Sequence, residues 1–234
     1  MRELESLLFL GVLLALARPV GLYLLRVFER QPTFADRWLC PVETALHRLG
    51  GIRPGEEMTP LVYFASFALF GGLGAGFLLL LLWLQSWLPG GPAGRFLTTP
   101  LSLDLAANTA ISFATTTTWQ AYGGESTLRY LTQAIGLVSQ NFLAGAAGLA
   151  VGIAFMRGFA RERAATLGNF WVDLIRGVLW VLLPVSIVGA LIFVWQGVPL
   201  NFRPYLEIRT LEGTRQVLAQ GGLDGLGLVA HHPH

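Results

Sequence analysis

The residues of this chain best suited to chemistry are four consecutive threonines, Thr115, Thr116, Thr117 and Thr118, followed by Trp119 and Gln120. Each threonine offers a hydroxyl and a main-chain carbonyl, both neutral oxygen ligands. A strip of such oxygens lining an aqueous cavity is what a partly dehydrated monovalent cation needs. Enzyme constellations do not stand out: no serine–histidine pair or carboxylate dyad falls within an apolar segment. All 16 basic residues are arginine, so phosphate-loop and Schiff-base chemistry lose their usual lysine. Cys40 is alone, which excludes an internal disulfide or a cysteine-based metal site. His231, His232 and His234 read as a disordered tail rather than a metal site.

The elements that must position the strip follow from composition. Of 234 residues, 53% are hydrophobic and 13% charged, where a soluble domain carries roughly 25% charged. That excludes a soluble enzyme, a disordered chain and a nucleic-acid binder, and leaves an integral membrane protein. A bilayer core takes about 20 consecutive apolar residues per helix. Four stretches qualify: Leu4–Leu25, Leu61–Leu88, Tyr130–Met156 and Gly177–Val198. The first also resembles a signal peptide, but Glu3 and Glu5 outnumber Arg2, so a retained helix is expected. Arg26, Arg30, Arg37, Arg48 and Arg53 crowd the first connection, and Arg157, Arg161, Arg163 and Arg176 the third. These connections are expected on the cytoplasmic side, with the N-terminus outside.

Between the second and third spans lies a segment too short to cross. Thr99 and Pro100 read as a helix start, with Asp104 favourably placed in the first turn. The helix is expected to run through Asn108 to about Ala114, and the β-branched threonines then favour extended backbone. In lipid such backbone is tolerated only where it is buried in protein or lines a cavity. The half-helix would turn its partly negative C-terminus toward that cavity, in the logic of a potassium filter. The same composition also fits an ordinary loop outside the membrane. Gly72 and Gly76, and Gly148 and Gly152, have the spacing of helix-packing positions. Gln133, Gln140 and Asn141 suit either a cavity lining or interhelical bonds. Trp83, Trp87, Trp171 and Trp195 suit interfacial anchors. Arg18 is expected to snorkel, and Asp173 and Arg176 to pair locally.

A family resemblance rests on several of these stretches in order. Asn108–Phe113, the threonine strip, Trp119–Glu125, Leu131–Gln133, Gln140–Leu143, Arg157–Arg161 and Thr166–Leu174 resemble the potassium-binding subunit family of the bacterial Kdp transporter, KdpA. Leu16–Pro19 fits that family's first helix. The resemblance implies an all-α polytopic membrane protein of the potassium transporter superfamily, built from helix–pore loop–helix repeats, here with four spans plus one re-entrant half-helix. It implies an extra N-terminal helix over 1–27, a cytoplasmic loop over 28–60, and a first repeat over 61–156. Within that repeat the half-helix covers 100–114 and the filter 115–120. A cytoplasmic loop over 157–176, the first helix of a second repeat over 177–198 and an extracytoplasmic segment over 199–234 complete the expectation.

By position, the implied filter is Thr115, Thr116, Thr117, Thr118, Trp119 and Gln120, supported by Asn108, Gly123, Gly124 and Glu125. The implied ion is potassium, with no organic cofactor, because ATP is bound by a partner. Implied partners are the ATPase subunit, small accessory subunits of the complex and membrane lipid, in a bacterial inner membrane. The resemblance also implies a subunit that is non-catalytic by itself. Two features depart from the family pattern. Thr116 and Thr118 stand where asparagine is usual, and the stretch from Gly221 to His234 replaces an expected second filter loop. The latter reads as a truncation or frameshift after about Gln220, which would leave one quarter of a fourfold filter, unable to conduct alone. Two other classes stay open: a membrane enzyme using Asp104, Glu125 and Gln120, and a structural subunit without an ion site.

Overall fold

A computed structural model describes residues 2–87, 101–129, 131–161, 165–197 and 206–218. Its body is helical. Among the described residues four helices are long and apolar enough to cross a membrane: Leu4–Phe28 within α1 (Arg2–Phe28), α3 (Pro60–Trp83), α6 (Thr132–Ala160) and α7 (Phe170–Trp195). Between them lie α2 (Asp36–Leu49), the half-helix α4 (Leu103–Ala114) and the single turn α5 (Gly124–Thr127). Beyond the last span a two-stranded antiparallel hairpin, β1 (Leu206–Arg209) and β2 (Arg215–Leu218), pairs Leu206 with Leu218 and Arg209 with Arg215. This hairpin was not expected from the sequence. The segments 88–100 and 219–234, which hold Thr99, Pro100 and the histidine tail, lie outside the described residues.

The spans differ from their expected limits for a common reason. Charge was expected to end α6 near Met156 and to delay α7 until Gly177, leaving a loop over 157–176. Instead α6 runs on to Ala160 and α7 starts at Phe170. Arg157, Asp173 and Arg176 are all buried inside these helices. A buried charge is tolerated where it is paired and hydrogen-bonded, and each of these three is. The expected local pair of Asp173 with Arg176 does not form; Asp173 pairs with Arg157, and Arg176 with Glu43. The 28–60 connection likewise is more than a loop, because it contains α2.

Among the described residues three apolar clusters hold the body together. Tyr63 on α3, Ala146, Ala147, Ala150 and Ala154 on α6, and Phe170 and Leu174 on α7 form one of them. A second joins Leu78 and Leu82 of α3 to Ala106, Ala110 and Phe113 of α4 and to Leu137 of α6. The third packs Val27 and Phe28 at the end of α1 against Ile153, Leu179 and Trp180. Close helix approach occurs at Gly136, where a Cβ would lie 2.7 Å from Leu81 Cδ2, and at Gly74, 2.8 Å from the Gln140 amide. The glycines singled out by spacing, Gly72, Gly76, Gly148 and Gly152, have no heavy atom within 4 Å of such a Cβ. Spacing marks small residues; only the opposing surface decides which of them it meets.

Both α6 and α7 contain a wide π-helical stretch, Thr132–Val138 and Gly177–Leu182. In α7, Pro184 has no N–H to give the carbonyl four residues earlier. That carbonyl, on Trp180, accepts the Tyr23 hydroxyl of α1 at 2.7 Å. The proline's missing donor is thus replaced by a neighbouring helix, as the absence of water in a bilayer requires.

Candidate ion-coordinating site

The half-helix α4 is held by one face. Ala106, Ala110 and Phe113, spaced i, i+4, i+7, are buried against α3 and α6. Its start is three residues later than expected: Ser102, in extended conformation, precedes Leu103, and Asp104 lies in the first turn. Thr109 is buried on the same helix. Its hydroxyl donates to Leu105 O at 2.9 Å and lies 3.0 Å from the Tyr122 hydroxyl, which ties the returning chain to α4.

The threonine strip does not run straight from Ala114. Thr115 caps the helix, its N–H and hydroxyl both bonding Ile111 O at 2.9 and 2.8 Å. The chain then folds back on Ser112. The Thr117 and Thr118 N–H groups donate to Ser112 O at 2.9 and 3.2 Å, and the Trp119 N–H donates to Ser112 Oγ at 2.9 Å. An extended strip was expected; the turn wins because it gives these three donors acceptors at the helix end, where backbone groups otherwise go unpaired.

This arrangement fixes where the carbonyls point. In a trans peptide plane the N–H of one residue is antiparallel to the C=O of the residue before it. With the N–H groups of Thr117, Thr118 and Trp119 aimed at Ser112, the carbonyls of Thr116, Thr117 and Thr118 are turned away from it together. The turn is achieved by left-handed backbone at alternate positions, φ 62° at Thr116 and 56° at Thr118. For β-branched residues this region is a true outlier, and such strain gathers at functional sites.

Beneath the strip lies a cavity of about 340 Å³ lined by Gly71, Gly72, Ile111, Thr115, Thr116 and Gln140, among others. Of the three amides flagged in the sequence, Gln140 reaches this cavity. Gln133 instead braces the loop, donating to Gly124 O and Leu128 O at 3.3 and 3.4 Å, and Asn141 is buried on α6. Thr115, Thr116, Thr117 and Trp119 are exposed, and Thr118 and Gln120 half-buried. Gln120 Oε1 is buried without a hydrogen-bond partner among the described residues. Asn108 is exposed on α4, Gly123 precedes α5, and the side chain of Glu125 lies outside the described residues. Asp104 is exposed at the opposite end of α4 from the strip. Among the described residues no group of three or more His, Cys, Asp or Glu comes together as a metal site.

Several contributors were not read from the sequence. Gln85 donates to Thr127 O at 3.0 Å and accepts from the Arg129 N–H at 3.3 Å, closing the outer loop. A lone amide at the end of a charge-free run was its signal. At the other end of the helices, Arg157 donates to Asp173 at 2.6 and 3.1 Å, to Phe28 O at 2.8 Å and to Glu29 at 3.3 Å. The Tyr63 hydroxyl lies 3.0 Å from Asp173. Arg176 holds Glu43 at 2.7 and 3.1 Å and lies over the Trp180 ring. Outside the spans, the Thr166 hydroxyl and the Arg161 guanidinium hold the Glu57 carboxyl below the ordinary carboxylate range. Trp83, Trp87 and Trp195 are exposed as interfacial anchors would be, whereas Trp171 packs on Phe70 and Phe170.

The family model for the Potassium-transporting ATPase A subunit, KdpA, matches residues 7–230. The chain belongs to this family. The match runs ten residues beyond Gln220, where the resemblance was expected to stop. The Potassium-transporting ATPase potassium-binding subunit of Rhodospirillum centenum is 49% identical over 218 residues, covering 93% of this chain and 38% of that protein. The protein of that name from Methylorubrum extorquens is 48% identical with the same coverage. The one from Ralstonia nicotianae is 49% identical over 211 residues, 90% of this chain and 35% of its own length. The chain thus spans less than two fifths of the KdpA relatives it matches. Membership of KdpA, four membrane-competent helices and the lipid-like exposed apolar surface make it a multi-pass membrane protein.

Proposed function

We propose that this chain supplies one helix–pore loop–helix unit of a potassium filter, within the potassium-binding subunit of an ATP-driven uptake complex. The observation that carries the reading is the row of carbonyls at Thr116, Thr117 and Thr118, turned to one side by N–H groups that all bond Ser112. Neutral carbonyl dipoles replace the hydration shell of a monovalent cation. The C-terminus of α4 adds partial negative charge at the same point. Thr115 and Thr116 meet the cavity directly beneath, giving a bound ion a route inward. Gln120 stands at the outer end of the strip, with Asn108, Gly123, Gly124 and Glu125 as its support. The matched relatives are named potassium-binding subunits, which fits potassium as the ion.

In this reading the subunit hydrolyses nothing itself. It captures extracellular potassium and passes it to an ATPase subunit, in company with small accessory subunits, in a bacterial inner membrane. The N-terminus lies outside, and the connections over 28–60, with Arg30, Arg37, Arg48 and Arg53, and over 161–169, with Arg161 and Arg163, lie in the cytoplasm. A closed filter takes three more such units.

A graft tests this. Residues 1–218 replace the matching part of the Rhodospirillum centenum subunit in a bacterium lacking other potassium uptake. The expected result is growth at limiting potassium. Ser112→Ala, which removes one acceptor worth about 1 kcal/mol, should raise the KM for potassium roughly fivefold, and Gln120→Arg should weaken uptake by charge repulsion. A graft that assembles normally but takes up no potassium, or whose affinity ignores both substitutions, refutes the reading.

A further inference from the structure

Helix α2 is amphipathic in an inverted sense, and its faces point to an occupant. Glu43 and His47 are buried on the face toward α7, with Asp36, Leu39 and Cys40 half-buried beside them. The opposite face is apolar yet exposed: Trp38, Val42, Leu46 and Leu49, with Trp38 67% and Leu49 85% accessible. Their spacing of i, i+4, i+8 and i+11 makes one continuous stripe along the helix. Phe34, just before α2, is 78% accessible and extends the exposed apolar surface. Arg37 and Arg48, both exposed and eleven residues apart, share a neighbouring face about 80–100° round the helix from Trp38. A helix lying on a water-exposed surface would have these faces exchanged.

The depth of α2 supplies the reason. Its middle meets α7 at Arg176, through Glu43, and its beginning meets Trp180, whose indole Nε1 lies 3.1 Å from Thr33 Oγ1 and 3.2 Å from Asp36 Oδ1. Arg176 is six residues into α7, about 9 Å along its axis. The 26 residues of that span are about 39 Å long against a hydrocarbon core of about 30 Å. Centred in the bilayer, α7 leaves about 5 Å beyond the core at each end. Arg176 therefore lies about 4 Å inside the edge of the core, where Glu43 meets it, and Trp180, which meets Thr33 and Asp36, lies about 10 Å inside. The exposed stripe on α2 lies on the same helix as these contacts and so at the same depth in the leaflet.

We propose that α2 is an interfacial helix seated in one leaflet and dipping into it toward its N-terminal end, with Trp38, Val42, Leu46 and Leu49 among acyl chains, Arg48 at the lipid phosphates and Arg37 snorkelling toward them. A helix with an apolar stripe and arginines on a neighbouring face buries that stripe about 5–10 Å into the boundary between headgroups and acyl chains. The phosphates neutralise the arginines, and Trp38 finds the amphipathic environment its ring prefers. Glu43 points away from lipid because Arg176 pairs with it there, and His47 lies beside Glu43, its Nε2 4.0 Å from Glu43 Oε1. The inverted faces are thus what a helix between lipid on one side and a charged helix packing on the other must have.

The test places a fluorescent label on the full chain in vesicles of phosphatidylethanolamine and phosphatidylglycerol. Cys40 is first replaced by serine, and single cysteines are placed at Val42, Leu49 or Thr44. Thr44 is exposed on the arginine side of α2 and serves as the reference. Brominated acyl chains quench from within the bilayer and iodide from water. The expected result is an acyl-to-iodide quenching ratio several-fold higher at 42 and 49 than at 44. A ratio at 42 and 49 no higher than at 44 overturns the proposal. Labels at 42 and 49 shielded from both quenchers also overturn it, in favour of polypeptide covering this face. All three positions are exposed, and a variant that changes the helical circular dichroism is replaced by its neighbour Ala45 or Leu46.

Discussion

Thr118→Asn should stabilise the strip locally, because the backbone there is left-handed and threonine is a poor occupant of that region. A left-handed conformation costs an L-residue about 1–2 kcal/mol, and β-branching makes Thr an outlier where Asn is enriched. At Thr118, φ 56°, the hydroxyl makes no hydrogen bond among the described residues, so the substitution forfeits little. At Thr116, φ 62°, the hydroxyl donates to Thr115 O at 2.6 Å, and losing that bond costs about 0.5–1.5 kcal/mol. The two terms nearly cancel at 116 and leave a gain of about 1 kcal/mol at 118. The assay is amide exchange in lipid nanodiscs, resolved to the Thr117, Thr118 and Trp119 N–H groups that bond Ser112. A gain of that size slows their exchange about fivefold. Thr117→Asn, where φ is not positive, is the control: it relieves no strain, forfeits only the long 3.4 Å contact with the Thr115 hydroxyl, and should not slow exchange. Equal slowing at 117 and 118, or faster exchange in Thr118→Asn, would refute the strain argument.

Two further outcomes follow from the buried charges. Arg157→Ala or Asp173→Ala leaves an uncompensated buried charge, and each should cost about 3–5 kcal/mol. The double variant should cost less than their sum, read from denaturant titrations in detergent; strict additivity would contradict the pairing. Burial pushes the His47 imidazole below its ordinary 6.5, helped by Arg30 and Arg176 and opposed by Glu43. The unfolded chain therefore binds the proton more readily, and stability falls as pH drops below about 6.5 toward the folded value. A thermal midpoint measured between pH 7.5 and 5.5 should decline in the parent and flatten in His47→Leu; an unchanged slope in that variant would locate the effect elsewhere.

The membrane class, the four spans, the half-helix and the threonine strip were legible in the sequence because each depends on a local run. Hydropathy over about 20 residues finds a span without knowledge of its neighbours. Span limits were misjudged where the same logic meets charge. Arg157 and Asp173 lie 16 residues apart and Arg176 and Glu43 lie 133 apart, so pairing was invisible to a local rule and the helices were cut short. Glycine spacing failed at Gly72 and Gly148 and missed Gly74 and Gly136, because close approach is a property of two surfaces.

By itself the sequence determined what solvent this chain meets, how many times it can cross it, and which oxygen-rich strip interrupts the crossings. Only the tertiary structure decided that the strip folds back on Ser112 and aligns three carbonyls. It alone joined Tyr63, Arg157 and Asp173 from three helices, and turned the polar face of α2 inward. The physical reason is that composition sets the free energy of transfer into lipid residue by residue. The direction of a carbonyl or the partner of a buried charge is set by groups that meet only once the helices have packed.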